Sequence, residues 1–105
     1  MQERRAALRV RANLKVRWEG LLTQGAGTVS DISAAGCFVL TGGEVKAGEL
    51  IRLEIHFPSG EVVLQWGEVA YPSPEIGFAL RFTYGNDEEK RSLAGLIATL
   101  RDTVT

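Results

Sequence analysis

The sequence has few cysteines, histidines and prolines: it contains one, one and three of them. A lone Cys37 cannot form an internal disulfide, and no second cysteine or group of histidines is present to hold a metal with it. Apolar runs such as Val62 to Leu64 are too short to cross a bilayer, and the amino terminus opens with charges rather than a signal core. We therefore expect a cytoplasmic protein without a cofactor, a metal site or a membrane insertion.

Charge is distributed unevenly along a chain of ordinary globular composition. Hydrophobic residues make up 45% and charged residues 24% of the 105 residues, which predicts a single folded domain over residues 1–105. Residues 1–17 hold six of the 12 cations against the single anion Glu3, so residues 18–105 carry six cations and twelve anions. A basic amino-terminal segment thus precedes an acidic body. The segment favours an anionic ligand, whereas the acidic body disfavours a nucleic-acid-binding barrel.

Short β-rich runs separated by glycines indicate an all-β fold. Leu14, Val16 and Trp18 alternate with charged residues, as on a strand with one buried face. Further strands are expected at residues 27–32, 36–40, 50–57, 61–70 and 76–82, where Ile76, Phe78, Leu80 and Phe82 alternate in the last of them. We predict six or seven antiparallel strands that close into a barrel, because closure removes the exposed edges.

The pattern becomes helical after Gly85. Asn86 is placed to cap a helix, Glu89 follows three residues later, and apolar residues recur at helical spacing. The apolar residues that recur at this spacing are Leu93, Ile97, Leu100 and Val104. The predicted organisation is a mobile arginine-rich arm over 1–12, a β-barrel over 13–84 and a carboxy-terminal helix over 86–104.

Two short segments carry residues suited to a nucleotide. In the first, Arg5 and Arg9 are four residues apart and Arg4 precedes them; arginine binds phosphate in a planar fork and stacks on purines. In the second, Asp31-Ile32-Ser33-Ala34-Ala35-Gly36 joins two predicted strands. Aspartate accepts hydrogen bonds from the guanine edge, serine bonds a phosphate or a base, and glycine admits a close backbone approach. Each segment alone also fits a plain alternative, a solvated terminus or an ordinary turn.

Together the two segments resemble the PilZ domain family, which has an RxxxR motif followed by a (D/N)xSxxG motif. The likeness extends through ERRAALRVRANLKV, DISAAGCFVL and EIGFALRF. The resemblance implies a non-enzymatic receptor for cyclic di-GMP whose arm orders over the nucleotide and relays the signal to a partner protein in motility, exopolysaccharide or biofilm control. It assigns ligand binding to Arg4, Arg5, Arg9, Asp31, Ser33 and Gly36. Arg4 stands just before the first motif, and in this the sequence resembles members that bind an intercalated pair of ligands.

The alternative is a PilZ-like protein-interaction domain that does not bind the nucleotide; a monomer or a weak homodimer is expected in either case. No grouping of nucleophile, base and oxyanion donor is recognisable, so an enzyme is not predicted. His56 is interpreted as an exposed strand residue and Cys37 as a structural thiol. Trp18 and Trp66 are expected in the core or at the barrel rim, with Trp66 also a candidate for a position near the ligand surface.

Overall fold

The computed structural model describes residues 9–21 and 23–104, with side chains described as far as residue 100. Six strands precede one helix. Their bounds are β1 Val10–Glu19, β2 Gln24–Ile32, β3 Gly36–Leu40, β4 Leu50–His56, β5 Val62–Ser73, β6 Gly77–Phe82 and α1 Asp87–Val104.

The six strands form one closed antiparallel barrel in the order β1-β2-β3-β6-β5-β4, with β1 pairing to β4 to complete the ring. The predicted all-β barrel with a carboxy-terminal helix is therefore confirmed, with six strands. β1 begins earlier than the predicted barrel, since Val10 pairs with Ile32 and Arg11 pairs with Asp31. Residues 10–12, which the sequence analysis placed in the arm, are thus part of the strand next to the candidate site.

Alternation along the strands fills the barrel interior. Ile51, Leu53 and Ile55 of β4 are all fully buried, and Trp18 packs its ring edge-on against Phe78 with ring centroids 5.6 Å apart. The predicted alternation is wrong at one position: Ile76 is 55% exposed. It lies in the turn before β6, where Glu75 adopts a positive φ of 70°, and this turn interrupts the alternation.

The helix begins as its sequence predicts. The Glu89 amide donates to Asn86 Oδ1 at 2.9 Å, and the Gly85 amide donates to Glu89 Oε1 at 2.8 Å. Two backbone amides at the helix start are thereby satisfied, as in a capping box, although Glu89 reaches Gly85 rather than the cap residue itself. Leu93, Ile97 and Leu100 then join the barrel core, so α1 covers part of the barrel. The side chain of Val104 lies outside the described residues.

Within the described part of the chain, no helix combines the length and the hydropathy that a bilayer crossing demands.

Candidate functional site

Asp31 faces outward because β2 is irregular at this point. Strict alternation from the buried Val29 would place Asp31 inside the barrel and Ile32 outside. The pairing with β3 instead shifts between Val29 and Asp31, so that Ser30 is an extra residue in β2. This bulge turns the Asp31 carboxylate toward the surface, 34% exposed, while Ile32 is fully buried.

The two sequence motifs meet at Asp31. Arg9 lies immediately before β1, and its Nη1 donates to Asp31 Oδ1 at 2.9 Å although the residues are 22 positions apart. The Arg9 side chain is 58% exposed, so its guanidinium keeps access to solvent. The structure therefore brings together one arginine of the first motif and the aspartate of the second. The other predicted arginines, Arg4 and Arg5, lie outside the described residues.

Ser33 builds the turn that follows Asp31. Its amide donates to the Gly36 carbonyl oxygen at 2.8 Å, and its Oγ accepts a hydrogen bond from the Ala35 amide at 3.0 Å. The side chain is only 3% exposed. In this arrangement the serine shapes the β2–β3 connection and sets where the turn backbone is displayed.

Gly36 lies against the neighbouring strand β6. A Cβ at this position would overlap the carbonyl oxygen of Leu80, so only glycine lets β3 and β6 pair here without displacement. Gly36 pairs directly with Arg81, whose Nη2 donates to Glu68 Oε1 of β5 at 3.3 Å. The glycine of the motif is thus explained by packing within the barrel.

Three residues next to these motifs were missed by the sequence analysis. Arg11 stands across from Asp31 on β1, and Arg81 stands across from Gly36 on β6. Tyr84, just after β6, donates its hydroxyl to the Ala34 carbonyl oxygen in the motif turn at 2.5 Å. The spacing of Arg9 and Arg11 by two residues was an available signal, because it places both on one face of a strand. Arg81 and Tyr84 approach the site only through the barrel register.

The site combines arginine side chains with the Asp31 carboxylate on an accessible surface. Such a set can bind an anion through the arginines and accept hydrogen bonds from a base edge through Asp31.

Burial, reinforced by the Asp31 charge, raises the pKa of the Cys37 thiol well above its usual range, although Arg9 acts in the opposite direction. Cys37 is 1% exposed, as expected for a structural thiol.

The other residues considered in the sequence analysis are His56, Trp18 and Trp66. His56 is exposed on β4, as predicted, and contacts Glu54 through Nε2 at 2.8 Å. Trp18 is buried, whereas Trp66 is 52% exposed on the outer face of β5. Among residues 9–21 and 23–104, no three side chains of the metal-binding types are grouped to hold an ion.

Comparison with known proteins identifies this architecture. The sequence-family model for the PilZ domain matches residues 3–99. The chain belongs to the PilZ domain family. No curated protein matches the chain.

Solved structures share the fold of this PilZ domain at low sequence identity. The PilZ domain of YcgR from Escherichia coli, solved with c-di-GMP, has a TM-score of 0.81 and 17% identity, with 97% of this chain and 95% of that chain covered. The PilZ domain of CeSA from a cellulose-synthesizing bacterium gives a TM-score of 0.73 and 16% identity, with coverages of 90% and 98%. The Bacillus subtilis inhibitor of motility, MotI/DgrA, gives 0.71 and 21%, with 96% of this chain and 53% of that one. These likenesses establish the barrel and helix as a PilZ fold.

Proposed function

We propose that this PilZ domain is a receptor for cyclic di-GMP that passes the signal to a partner protein as an adaptor rather than as an enzyme. The observation that carries the proposal is the contact between Arg9 and Asp31 at 2.9 Å. This contact joins the two halves of the predicted site on one accessible surface. Membership of the PilZ family and the likeness to the YcgR domain solved with c-di-GMP support the choice of ligand.

Binding on this surface would exchange the partners of an existing ion pair. The described contact occupies Oδ1 of Asp31, whereas the guanine edge presents two donors, N1–H and N2–H, that are best met by both carboxylate oxygens. Arg9 would therefore leave Asp31 for a ligand phosphate, and the guanine would take its place. Both charges keep a partner through the exchange, so the cost of separating them is offset by charge-assisted bonds to the ligand.

The remaining predicted residues would complete the site from its two sides. Arg4 and Arg5, on the arm predicted over 1–12, would close over the nucleotide in a disorder-to-order step and would favour an intercalated ligand pair. Ser33 and Gly36 would position the turn backbone under the ligand. The domain would then pass the signal to a partner protein, in a cytoplasmic pathway such as motility, exopolysaccharide or biofilm control.

Isothermal titration of cyclic di-GMP into the purified chain, with GTP and cyclic GMP as controls, tests the proposal. We expect saturable binding near two ligands per chain and none of comparable affinity for the controls. Arg9→Ala should abolish binding while changing the free energy of unfolding by less than about 1 kcal/mol, because the pair with Asp31 is largely exposed. Arg17→Ala, which removes an exposed arginine of β1, is the matched control and should bind as the unsubstituted chain does.

The outcomes separate the two candidate functions. If Arg9→Ala binds as tightly as the unsubstituted chain, the site assignment is wrong. If the unsubstituted chain shows no binding at high micromolar cyclic di-GMP, the result would instead favour the PilZ-like interaction domain that does not bind the nucleotide.

A further inference from the structure

A groove of about 780 Å³ runs between β5 and the first turns of α1 on the outside of the barrel. Its lining includes Leu64 and Trp66 from the strand, Glu88 and Glu89 from the helix, and Tyr84 from the segment between β6 and α1. None of these residues belongs to the predicted ligand site. The groove therefore offers a second surface on a domain whose proposed role as an adaptor requires one.

The strand side of the groove is apolar and open to solvent. Val62, Leu64 and Trp66 alternate along the outer face of β5 and are 50%, 58% and 52% exposed. Side chains two residues apart on a strand are neighbours on the same face, so the three form one continuous apolar stripe. Isolated exposed apolar residues are ordinary, but a continuous stripe beside a groove is typical of an interaction surface.

The helix side of the groove is acidic. Asp87, Glu88 and Glu89 form the first turn of α1. Among the residues that the structure describes, the lining contains both glutamates but no lysine or arginine. Glu89 also accepts a hydrogen bond from the Gly85 amide, which leaves the exposed Glu88 as the carboxylate most available to a partner. An occupant complementary to this groove thus presents apolar side chains toward β5 and a cation toward α1.

One side chain connects the groove to the candidate ligand site. Tyr84 lines the groove, and its hydroxyl donates to the Ala34 carbonyl oxygen in the turn between Asp31 and Gly36. The Phe82 amide donates to the next carbonyl of the same turn, that of Ala35, at 2.9 Å. A displacement of this turn would therefore reach the groove wall through a single hydrogen bond.

We propose that the groove between β5 and α1 is the output surface of this domain and that it takes a basic amphipathic segment of the partner protein. Apolar side chains of that segment cover Leu64 and Trp66, and a lysine or arginine pairs with Glu88. The inference rests on the proposed adaptor function, and it names the surface and the chemistry through which that function is exerted.

Tryptophan fluorescence tests the docking, because Trp18 is only 2% exposed and Trp66 is the tryptophan that a ligand in the groove would cover. The probe is a synthetic helix-forming peptide with leucine on one face and lysine on the other, and the control peptide carries glutamate in place of lysine. We expect a saturable blue shift with the lysine peptide alone. Glu88→Lys should weaken its affinity about five- to tenfold, since attraction becomes repulsion, and Leu64→Ser should weaken it at least as much.

Matched substitutions lie outside the groove. Ile76→Ser removes another exposed apolar side chain, and Glu44→Lys reverses another exposed carboxylate; both should bind the lysine peptide as the unsubstituted chain does. Equal binding of the two peptides, no binding of the lysine peptide, or no effect of Glu88→Lys would overturn the proposal. So would a concentration-dependent dimer that Leu64→Ser dissolves, since the groove would then belong to a second copy. Titration of cyclic di-GMP into the unsubstituted chain separates the two proposals, because absence of nucleotide binding with intact peptide binding contradicts the proposed function alone.

Discussion

At the scale of single residues, Gly36 shows that a motif position can be determined by packing. A Cβ at Gly36 would overlap a backbone atom, the Leu80 carbonyl oxygen, which cannot move aside as a flexible side chain could. We expect Gly36→Ala to lower the free energy of unfolding by about 1–3 kcal/mol, as overpacking does in well-packed interiors. Urea unfolding measures this, and Gly42→Ala is the control, because the space around Gly42 is open and a change within about 0.5 kcal/mol is expected.

The opposite result would assign Gly36 a role in ligand binding instead of packing. If Gly36→Ala were as stable as the unsubstituted chain but failed to bind cyclic di-GMP, the position would serve the ligand and not the contact between β3 and β6.

Tyr84 gives the stability a dependence on alkaline pH. Burial, with a smaller contribution from Cys37, raises the pKa of Tyr84 from 10.0 to about 12. Below pH 10 the phenol is neutral in both the folded and the unfolded chain, so its contribution to stability is fully present. As pH rises from 10 toward 12 the unfolded chain ionises first and is stabilised, and the contribution is lost.

Tyr84→Phe isolates this effect. The substitution removes the hydrogen bond to Ala34, which costs about 1 kcal/mol below pH 10, and it also removes the titration. We expect the stability advantage of the unsubstituted chain over Tyr84→Phe, measured by urea unfolding at a series of pH values, to be constant below pH 10 and to shrink from pH 10 to 12. Parallel curves across that range would contradict the assignment.

At the scale of elements, the start of α1 depends on one cap. The Glu89 amide is satisfied by Asn86 Oδ1, and the helix delivers Leu93 and Ile97 to the core. Asn86→Ala should therefore cost about 1 kcal/mol, which corresponds to a fall in Tm of about 4–8 °C for a domain of this size. Thermal unfolding followed by circular dichroism measures it. Asn86→Ser keeps an oxygen for the cap and should retain nearly the full Tm; an equal loss in both variants would show that the cap is not the cause.

The strands and the helix could be predicted from the sequence because each buries one face. Ile51, Leu53 and Ile55 repeat with the period of a strand, and the barrel follows from many such runs. The ends of the strands were harder to predict from the sequence, because they depend on pairing with a neighbouring strand. Val10 belongs to β1 because it pairs with Ile32. Ile76 was misassigned because a turn breaks the alternation without a change in residue type.

The candidate site was likewise predicted from the sequence only in part. The motifs placed Arg9 and Asp31 in the predicted site, and the structure brings them into contact. The bulge that turns Asp31 outward reverses the alternation of β2, and no local pattern in the sequence announces the extra residue. Arg81 and Tyr84 are distant from the motif turn in sequence, so their proximity to it depends on the pairing and register of β3 and β6.

At the scale of the whole molecule, Cys37 reports on the integrity of the barrel. The thiol is 1% exposed, and burial raises its pKa, so the reactive thiolate forms only when the side chain reaches water. Its strand, β3, is held by β2 on one side and β6 on the other, and the closed ring leaves no free strand edge from which to open. Exposure of Cys37 therefore requires unfolding of the barrel as a unit.

Ligand binding should consequently slow the modification of Cys37 by a thiol reagent. A ligand that binds one site of the folded chain alone lowers the unfolded population by the factor 1 + [L]/Kd, and a second bound ligand lowers it further. Cyclic di-GMP at about 100 times its Kd should therefore slow labelling by at least about 100-fold when refolding outpaces modification. GTP should leave the rate unchanged, and Arg9→Ala should label at the same rate with and without cyclic di-GMP. If titration shows binding while the labelling rate stays the same, β3 opens locally, and the barrel does not protect Cys37 as a single cooperative unit.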